Sequence, residues 1–120
     1  MERRPRAAVE GATLGLAYGL KRFRDLGMNP TEIRLTGGGS KSATWRQIAA
    51  DCFNAEVVTL NTSEGAALGG AIQAAYAHAN QGGIEKVSYE SLCAKLVTLD
   101  ESTRCKPNAE NAAKYAAQLE

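Results

Sequence analysis

The chain has 120 residues, which is long enough for one domain with a real core and too short for two domains of ordinary size. It carries 14 basic and 13 acidic residues, and the net charge of +1 gives no overall field that would bind nucleic acid or an anionic membrane. Its three cysteines show no C-x-x-C spacing and no neighbouring histidine, so neither a disulfide framework nor a zinc site is indicated, and a cytoplasmic location is the simplest expectation.

The first predicted element is a long helix with one apolar face. Gly11, Gly15 and Gly19 are spaced four apart, so they share one ridge of this helix, and we expect another element to pack very close to them. The uncharged run around them is far shorter than a bilayer span, which excludes a membrane helix. Gly27 and Pro30 end the helix. The predicted apolar face consists of Val9, Ala12, Leu16, Leu20 and Phe23.

The next stretch predicts a strand, a turn made of glycines and then a helix. Residues 33–36 alternate between apolar and polar, as a strand does, and three successive glycines follow. Glycine permits positive φ and leaves no Cβ between the backbone and a ligand. Capping-box spacing from Thr44 to Gln47 indicates a helix N-terminus nearby, and such a terminus favours anions. The glycine turn, residues 37–42, therefore indicates a phosphate or nucleotide site, or else a tight turn that needs glycine only for its dihedral angles.

A second helix, a second strand and a third helix follow in that order. Apolar spacing predicts an amphipathic second helix, and the strand runs from Val57 to Leu60. The third helix begins after residues 61–64, which offer several N-caps, and it is so rich in alanine and glycine that we expect tight packing around Gly69 and Gly70. The apolar residues of the second helix are Trp45, Ile48, Ala49 and Cys52.

The last third of the chain predicts mostly helix. A short helix covers residues 88–96, an extended stretch runs through Pro107, and a final helix begins after Asn108. His78 is predicted to be a surface residue rather than a catalytic one, because no partner for it is evident. The inward side chains of the final helix are predicted to be Ala112, Tyr115 and Leu119.

Only two strands are evident, and the helix between them predicts that they are parallel and joined by a right-handed crossover. Two parallel strands leave both edges unpaired and are too few for independent stability. We therefore expect the chain to be the C-terminal piece of a larger α/β domain. The open strand edge and the apolar helix faces predict self-association or poor solubility of the isolated chain.

Two familiar phosphate-binding patterns can be compared with the glycine turn. Gly37, Gly39 and Ser42 fit a G-x-G-x-x-small dinucleotide fingerprint, but Leu60 and Asn61 stand where that fingerprint needs an acidic residue. The P-loop pattern G-x-x-x-x-G-K-[ST] is not present in the sequence. The residues leave three hypotheses, namely a Rossmann-like dinucleotide-binding fragment, an ATP site of another kind, or a non-catalytic α/β packing module.

The glycine turn and its surroundings resemble one protein family. Residues 33–42 and then 45–51 are similar to the C-terminal nucleotide-binding region of FGGY-family carbohydrate kinases, most closely the xylulokinases. Residues 6–11 resemble the helix before that motif, and residues 64–71 resemble the helix after it. The resemblance extends over nearly the whole chain, and the order of the motifs is more specific than the glycines alone.

The resemblance implies a fold. FGGY kinases belong to the actin, hexokinase and Hsp70 superfamily, whose ribonuclease H-like domains close over ATP and a sugar. The implied fold class is α/β, the C-terminal portion of a ribonuclease H-like domain, with the order helix, strand, helix, strand, helix and then C-terminal helices. Residues 1–80 would form the second half of the C-terminal ATPase domain, and residues 81–120 a helical extension packed on the same domain.

The resemblance also implies a reaction and a binding site. The full protein would transfer the γ-phosphoryl group of ATP, with Mg²⁺, to a ketose such as xylulose. The glycines would approach the ribose and the α-phosphate, the serines of the turn would lie near the adenine and the ribose, and Gln47 is a weaker candidate. The candidate ATP-binding residues are Gly37, Gly38, Gly39, Ser40, Ser42 and Gln47.

No catalytic residue and no metal ligand is expected within these 120 positions. In the family, the aspartate that acts as general base, the segments that hold the β- and γ-phosphates and the sugar site lie upstream of the motifs present here. Asp25, Asp51 and Asp100 do not match the position of that base, and Glu64 is interpreted as a helix-start residue that satisfies backbone donors and the helix dipole. The resemblance therefore implies that the isolated chain is inactive as a kinase.

Overall fold

Five α-helices and three strands make up the described part of the chain, which is residues 3–84 and 86–119 of a computed structural model, with side chains described from Pro5 onward. A single turn of 3-10 helix, Gly38–Lys41, lies between the first strand and the second α-helix. In chain order the elements are α1 (Arg3–Asp25), β1 (Glu32–Leu35), α2 (Ala43–Phe53), β2 (Glu56–Leu60), α3 (Gly65–Ala79), α4 (Tyr89–Leu96), β3 (Leu99–Cys105) and α5 (Ala109–Gln118).

The three strands form one sheet in the order β1–β2–β3. β1 and β2 are parallel, with Ile33 opposite Val57, so the predicted parallel pair is confirmed. The expectation of only two strands is wrong, because β3 pairs antiparallel with β2. The strand β3 was not recognisable in the sequence, because it lacks apolar alternation. It lies at a sheet edge and pairs with an irregular register. Thr103 joins the ladder through its hydroxyl, which accepts a hydrogen bond from the Thr59 N–H at 3.0 Å.

The core is centred on α2 and β2. Val57 and Val58 are fully buried, and α2 is enclosed by the sheet, α1 and α5. The predicted inward positions of α2 are buried except for Trp45, which is only partly buried. Burial extends around the second half of α2, beyond one amphipathic face, because that half has neighbours on several sides. The buried residues of α2 are Ile48, Ala49, Ala50, Asp51, Cys52 and Phe53.

Helix α1 packs on α2 with a face that matches the predicted apolar face only in part, since Val9 and Leu20 are partly buried against the core. Thr13 and Ala17 are buried against the rest of the chain, whereas Leu16 is 66% exposed and Phe23 is 53% exposed. The spacing is misleading because α1 is apolar on two neighbouring faces and the packed face includes the polar Thr13. The described part of the chain leaves the second face, with Leu16 and Phe23, uncovered.

The glycines of α1 and α3 do not mark close contacts. A Cβ placed on any of them, apart from the first residue of α3, would meet no atom within 4 Å. The expected close packing along both helices is therefore wrong for the residues that the structure describes, because small residues permit a close approach without creating one. Helix α3 contacts α4, where Tyr76 stacks on Tyr89 with ring centroids 3.9 Å apart. The open glycines are Gly11, Gly15, Gly19, Gly69 and Gly70.

The predicted helix starts in the last third of the chain are confirmed. Ser88 is the N-cap of α4 and Asn108 is the N-cap of α5, whose inward residues Ala112 and Tyr115 are buried. His78 is exposed, as expected for a surface residue. Among the helices within residues 3–84 and 86–119, none combines the length and the apolar character needed to cross a bilayer.

Candidate functional site

The glycine turn lies where the parallel strands β1 and β2 end. Gly37 has a φ of 89°, a region that favours glycine, and its N–H donates to the Ser63 carbonyl at 3.2 Å. The Thr36 hydroxyl donates to the same carbonyl at 3.2 Å. These two contacts join the turn to the segment that follows β2. Ligands of open α/β sheets bind at the carboxyl ends of the strands, so the turn occupies a position suited to a ligand.

The three glycines of the turn have three different surroundings. Gly37 adopts a positive φ, which favours glycine. Gly39 must be small because a Cβ there would lie 3.0 Å from the Trp45 ring. Gly38 has neither a positive φ nor a neighbour within 4 Å of a Cβ. The N–H groups of Gly38 and Gly39 find no acceptor among the residues that the structure describes. The turn therefore presents open space and unengaged backbone donors at Gly38.

Ser40 holds the turn together from inside. It is buried, and its hydroxyl donates to the Gly37 carbonyl at 2.7 Å. The Arg46 guanidinium donates through Nη1 to the Ser40 carbonyl at 2.8 Å. The predicted site residues Gly37 and Ser40 thus lie within one hydrogen-bonded turn, and Ser40 shapes the backbone that a ligand would meet.

Ser42 is the N-cap of α2. Its Oγ accepts a hydrogen bond from the Trp45 N–H at 3.3 Å, and the helix begins at Ala43. The capping box predicted from Thr44 to Gln47 is therefore wrong, because Ser42 already satisfies the backbone donor three residues further on. The sequence located the helix start within two residues but assigned its cap to Thr44.

Gln47 points toward the C-terminal segment. Its Nε2 donates to Asp51 Oδ1 at 2.8 Å and to the Lys106 carbonyl at 2.9 Å. Both acceptors lie outside the glycine turn. The structure brings together the three glycines and the two serines of the candidate site and leaves the Gln47 amide in another environment.

A polar cleft of about 330 Å³ opens beside the glycine turn. Lys41 and Arg46 line it from the turn and from α2, and Asn61 and Ser63 line it from the segment after β2, with Asp100 also at the cleft. Cations beside unengaged backbone N–H groups suit a phosphate. Sequence reasoning missed Asn61, Ser63 and Asp100 because they come from segments distant from the turn. It also missed Lys41, although its place directly after the glycines and Ser40 was a local signal for this chemistry.

The acidic residues considered as bases have other partners. Asp25 lies 3.9 Å from Arg22, Asp51 is buried with hydrogen-bond donors around it, and Asp100 Oδ1 accepts from the Ser102 N–H at 3.1 Å. Glu64 occupies the N-cap position of α3, where its carboxylate makes no cap hydrogen bond.

The most deeply buried cysteine is not a nucleophile. Burial, with smaller contributions from nearby carboxylates, raises the pKa of the Cys52 thiol to about 12. The thiol is therefore protonated at neutral pH, and a protonated thiol is unreactive.

Sequence comparison shows which known proteins this chain is similar to. Residues 3–78 match the model of the FGGY family of carbohydrate kinases, C-terminal domain. The xylulose kinase of Haemophilus influenzae is 46% identical over 110 residues, which are 92% of this chain and 21% of that protein. The xylulose kinase of Bacillus subtilis is 34% identical over 110 residues, with the same two coverages of 92% and 21%. The chain spans about a fifth of the length of these curated relatives.

Solved structures support the same fold. A ligand-bound xylulose kinase from Lactobacillus acidophilus superposes with a TM-score of 0.76 at 24% identity, covering 95% of this chain and 22% of that one. The xylulose kinase of Rhodospirillum rubrum gives a TM-score of 0.69 at 27% identity, with the same coverages of 95% and 22%. The expected α/β fold, the C-terminal portion of a ribonuclease H-like domain, is confirmed.

Proposed function

Because this chain belongs to the FGGY family of carbohydrate kinases, as part of its C-terminal domain, we propose that it forms the adenosine-binding side of an ATP site. The observation that carries the proposal is the open backbone at Gly38, in a turn at the carboxyl end of a strand, where the turn residues Ser40 and Lys41 line a polar cleft together with Arg46. Gly37, Gly38 and Gly39 approach the ribose and the α-phosphate in this proposal.

The remaining candidate residues contribute differently. Ser40 and Ser42 shape the turn through their hydrogen bonds, next to the adenine and the ribose. Gln47 remains a proposed contributor with weaker support, because its amide already donates to Asp51 and Lys106. The Rossmann-like alternative has less support, since the family match favours a kinase and Asn61 stands in place of an acidic residue.

The proposed reaction of the whole protein is transfer of the γ-phosphoryl group of ATP to a ketose such as xylulose, with Mg²⁺ neutralising charge on the phosphates. Two of the relatives described above are named xylulose kinases, which supports this substrate class. This chain does not span roughly four-fifths of these relatives. We assign to that part the general base, the sugar site and the contacts to the outer phosphates. A cytoplasmic location follows, because the proposed reaction draws on ATP.

Residues 1–80 are assigned to the second half of the C-terminal ATPase domain and residues 81–120 to an extension packed on the same domain. Pairing of β3 with β2 and packing of α5 on α2 support this assignment. The extension includes a strand as well as helices.

We also propose that the isolated chain associates with a second copy of itself. The outer edge of β1 has no strand partner among the described residues. An apolar groove runs next to that edge and α1, and it is lined by Leu16, Leu20, Phe23, Ile33 and Phe53.

A chimera tests the proposed function. The matching 110 residues of the Haemophilus influenzae xylulose kinase are replaced by the corresponding part of this chain, and ATP-dependent phosphorylation of xylulose is measured. We expect turnover by the chimera and none above buffer by the isolated chain with ATP, Mg²⁺ and xylulose. A folded chimera that binds xylulose but does not use ATP would contradict the proposal.

A further inference from the structure

Trp45 contacts the glycine turn and α1 at the same time. Its ring lies so close to Gly39 that a Cβ on that residue would be 3.0 Å from Cε3 and Cζ3. Its indole N–H donates to the Thr13 hydroxyl at 3.0 Å, 32 positions away in the sequence. One side chain of α2 therefore connects the turn to α1.

Thr13 is built to receive that hydrogen bond. It is 1% exposed, and its hydroxyl donates to the Val9 carbonyl at 2.7 Å. A hydroxyl has one hydrogen, so this bond leaves its lone pairs for the indole N–H and fixes the direction of the acceptor. A buried polar group with both partners satisfied holds a single geometry, because either partner left unpaired would be penalised.

Gly38 needs support from its neighbours. It has no side chain and no neighbour within 4 Å of a Cβ, so its position depends on the residues on either side. The Ser40 hydroxyl holds Gly37 through the hydrogen bond to its carbonyl. On the other side, the Trp45 ring confines Gly39.

We propose that Thr13 and Trp45 are positioning residues that hold the glycine turn in the shape that binds the nucleotide. The inference rests on the proposed ATP site, but its structural part, the hold on residues 37–42, is measurable without nucleotide. Thr13 acts through Trp45, and Trp45 acts through its contact with Gly39.

Two variants remove the same hydrogen bond from opposite ends. Thr13→Val keeps the shape of the side chain and loses the acceptor. Trp45→Phe loses the donor and also the larger ring whose Cε3 and Cζ3 lie against Gly39. Hydrogen–deuterium exchange of residues 37–42 is measured without nucleotide, and ATP affinity of the chain is measured by equilibrium dialysis. We expect faster exchange in the turn in both variants. ATP binding should be about fivefold weaker in Thr13→Val, the size of one neutral hydrogen bond, and at least as much weaker in Trp45→Phe.

Thr13→Ser is the matched control, because it keeps the hydroxyl and should restore both the exchange rate and the affinity. The double variant should be no worse than Trp45→Phe alone, since the hydrogen bond is already lost in that variant. Unchanged exchange in residues 37–42 in both single variants would overturn the positioning role. Faster exchange in a chain whose unmodified form binds no ATP would support the hold on the turn and count against the proposed function alone.

Discussion

At the scale of single residues, Gly38 is the one glycine of the turn for which the fold itself gives no reason for glycine. Its φ is not positive, and a Cβ there would meet nothing within 4 Å, so a larger side chain fits the fold but occupies the space where a ligand would approach. We expect Gly38→Val in the chimera to raise the KM for ATP by about tenfold, the effect of losing roughly 1.4 kcal/mol of binding, and to leave the KM for xylulose nearly unchanged.

Steady-state kinetics with each substrate varied in turn measure this effect, and circular dichroism checks that the variant is folded. The control is Gly11→Val, at a glycine of α1 that also lacks a positive φ and a neighbour within 4 Å of a Cβ, and it should leave the KM for ATP unchanged. An unchanged KM for ATP in folded Gly38→Val would mean that the glycines serve only the shape of the turn.

The sequence was sufficient to locate the turn but not the partners of its side chains. Three glycines between a strand pattern and a helix pattern are a local signal, so residues 37–42 could be found. The partners of Gln47 could not be found, because the Lys106 carbonyl that it contacts is 59 residues away. The cleft residue Asn61 is also non-local, since only the parallel pairing of β1 and β2 brings its segment to the turn.

At the scale of elements, Asp51 ties α2 to α5. It is 2% exposed, and its Oδ1 accepts from Gln47 Nε2 at 2.8 Å and from the Asn108 N–H at 2.7 Å. Its Oδ2 accepts from Asn111 Nδ2 at 3.0 Å. We expect Asp51→Ala to lower the free energy of unfolding by about 3 kcal/mol, because it leaves buried donors without an acceptor.

Urea denaturation measures the effect of Asp51→Ala, with Asp25→Ala as the matched control. Asp25 lies at an exposed helix end with its nearest cation, Arg22, 3.9 Å away, so its removal should change stability by less than about 0.5 kcal/mol. Equal effects of the two variants would contradict the role assigned to Asp51.

A second group of hydrogen bonds joins α1 to α5, and its contribution to stability depends on pH. Glu10 Oε1 accepts hydrogen bonds from Arg6 Nε at 2.7 Å and from the Tyr115 hydroxyl at 2.7 Å. The Arg6 hydrogen bond, followed by that of Tyr115, holds the pKa of Glu10 below its ordinary value. A lowered carboxyl pKa gives stability that is fully present above the unfolded-state pKa and is lost as the pH falls through the folded-state pKa.

We therefore expect the free energy of unfolding to decrease as the pH falls from about 5 to about 3, the range around an ordinary glutamate pKa. The Glu10→Gln variant should lose part of this decrease, because it cannot take up the proton. Denaturation curves at several pH values measure both slopes, and identical slopes for the two proteins would show that Glu10 contributes nothing to the pH dependence.

The elements themselves were predictable where the local pattern decides them. The starts of α4 and α5 follow from Ser88 and Asn108, whose side chains accept hydrogen bonds from the first turn of each helix. The strand β3 was not predictable, because an edge strand needs no apolar alternation. The packed face of α1 was predicted only in part: Val9 and Leu20 pack against the core, but the buried Thr13 could not be assigned to that face before its partners Val9 and Trp45 were known.

At the scale of the whole molecule, the open edge of β1 and the apolar groove beside α1 predict self-association. Light scattering of the purified chain over a range of concentrations should give a mass above that of the 12.7 kDa monomer. Leu16→Lys should reduce the association without unfolding the chain, because Leu16 is 66% exposed. A monomer at every concentration, with β1 amides protected from exchange, would show that the sheet needs no further partner.

The central claim is that the glycine turn binds the adenosine side of ATP, and Trp45 allows a direct measurement. It is the single tryptophan of the chain, and its ring lies against Gly39. Titration of the chain with ATP, with N-acetyltryptophanamide as the control for light absorption by the nucleotide, should give a weak but saturable change in Trp45 emission. The change should be lost in Gly38→Val and should be much smaller with CTP, which has the same triphosphate but no adenine. No saturable change with ATP, or an equal change with CTP, would contradict the account.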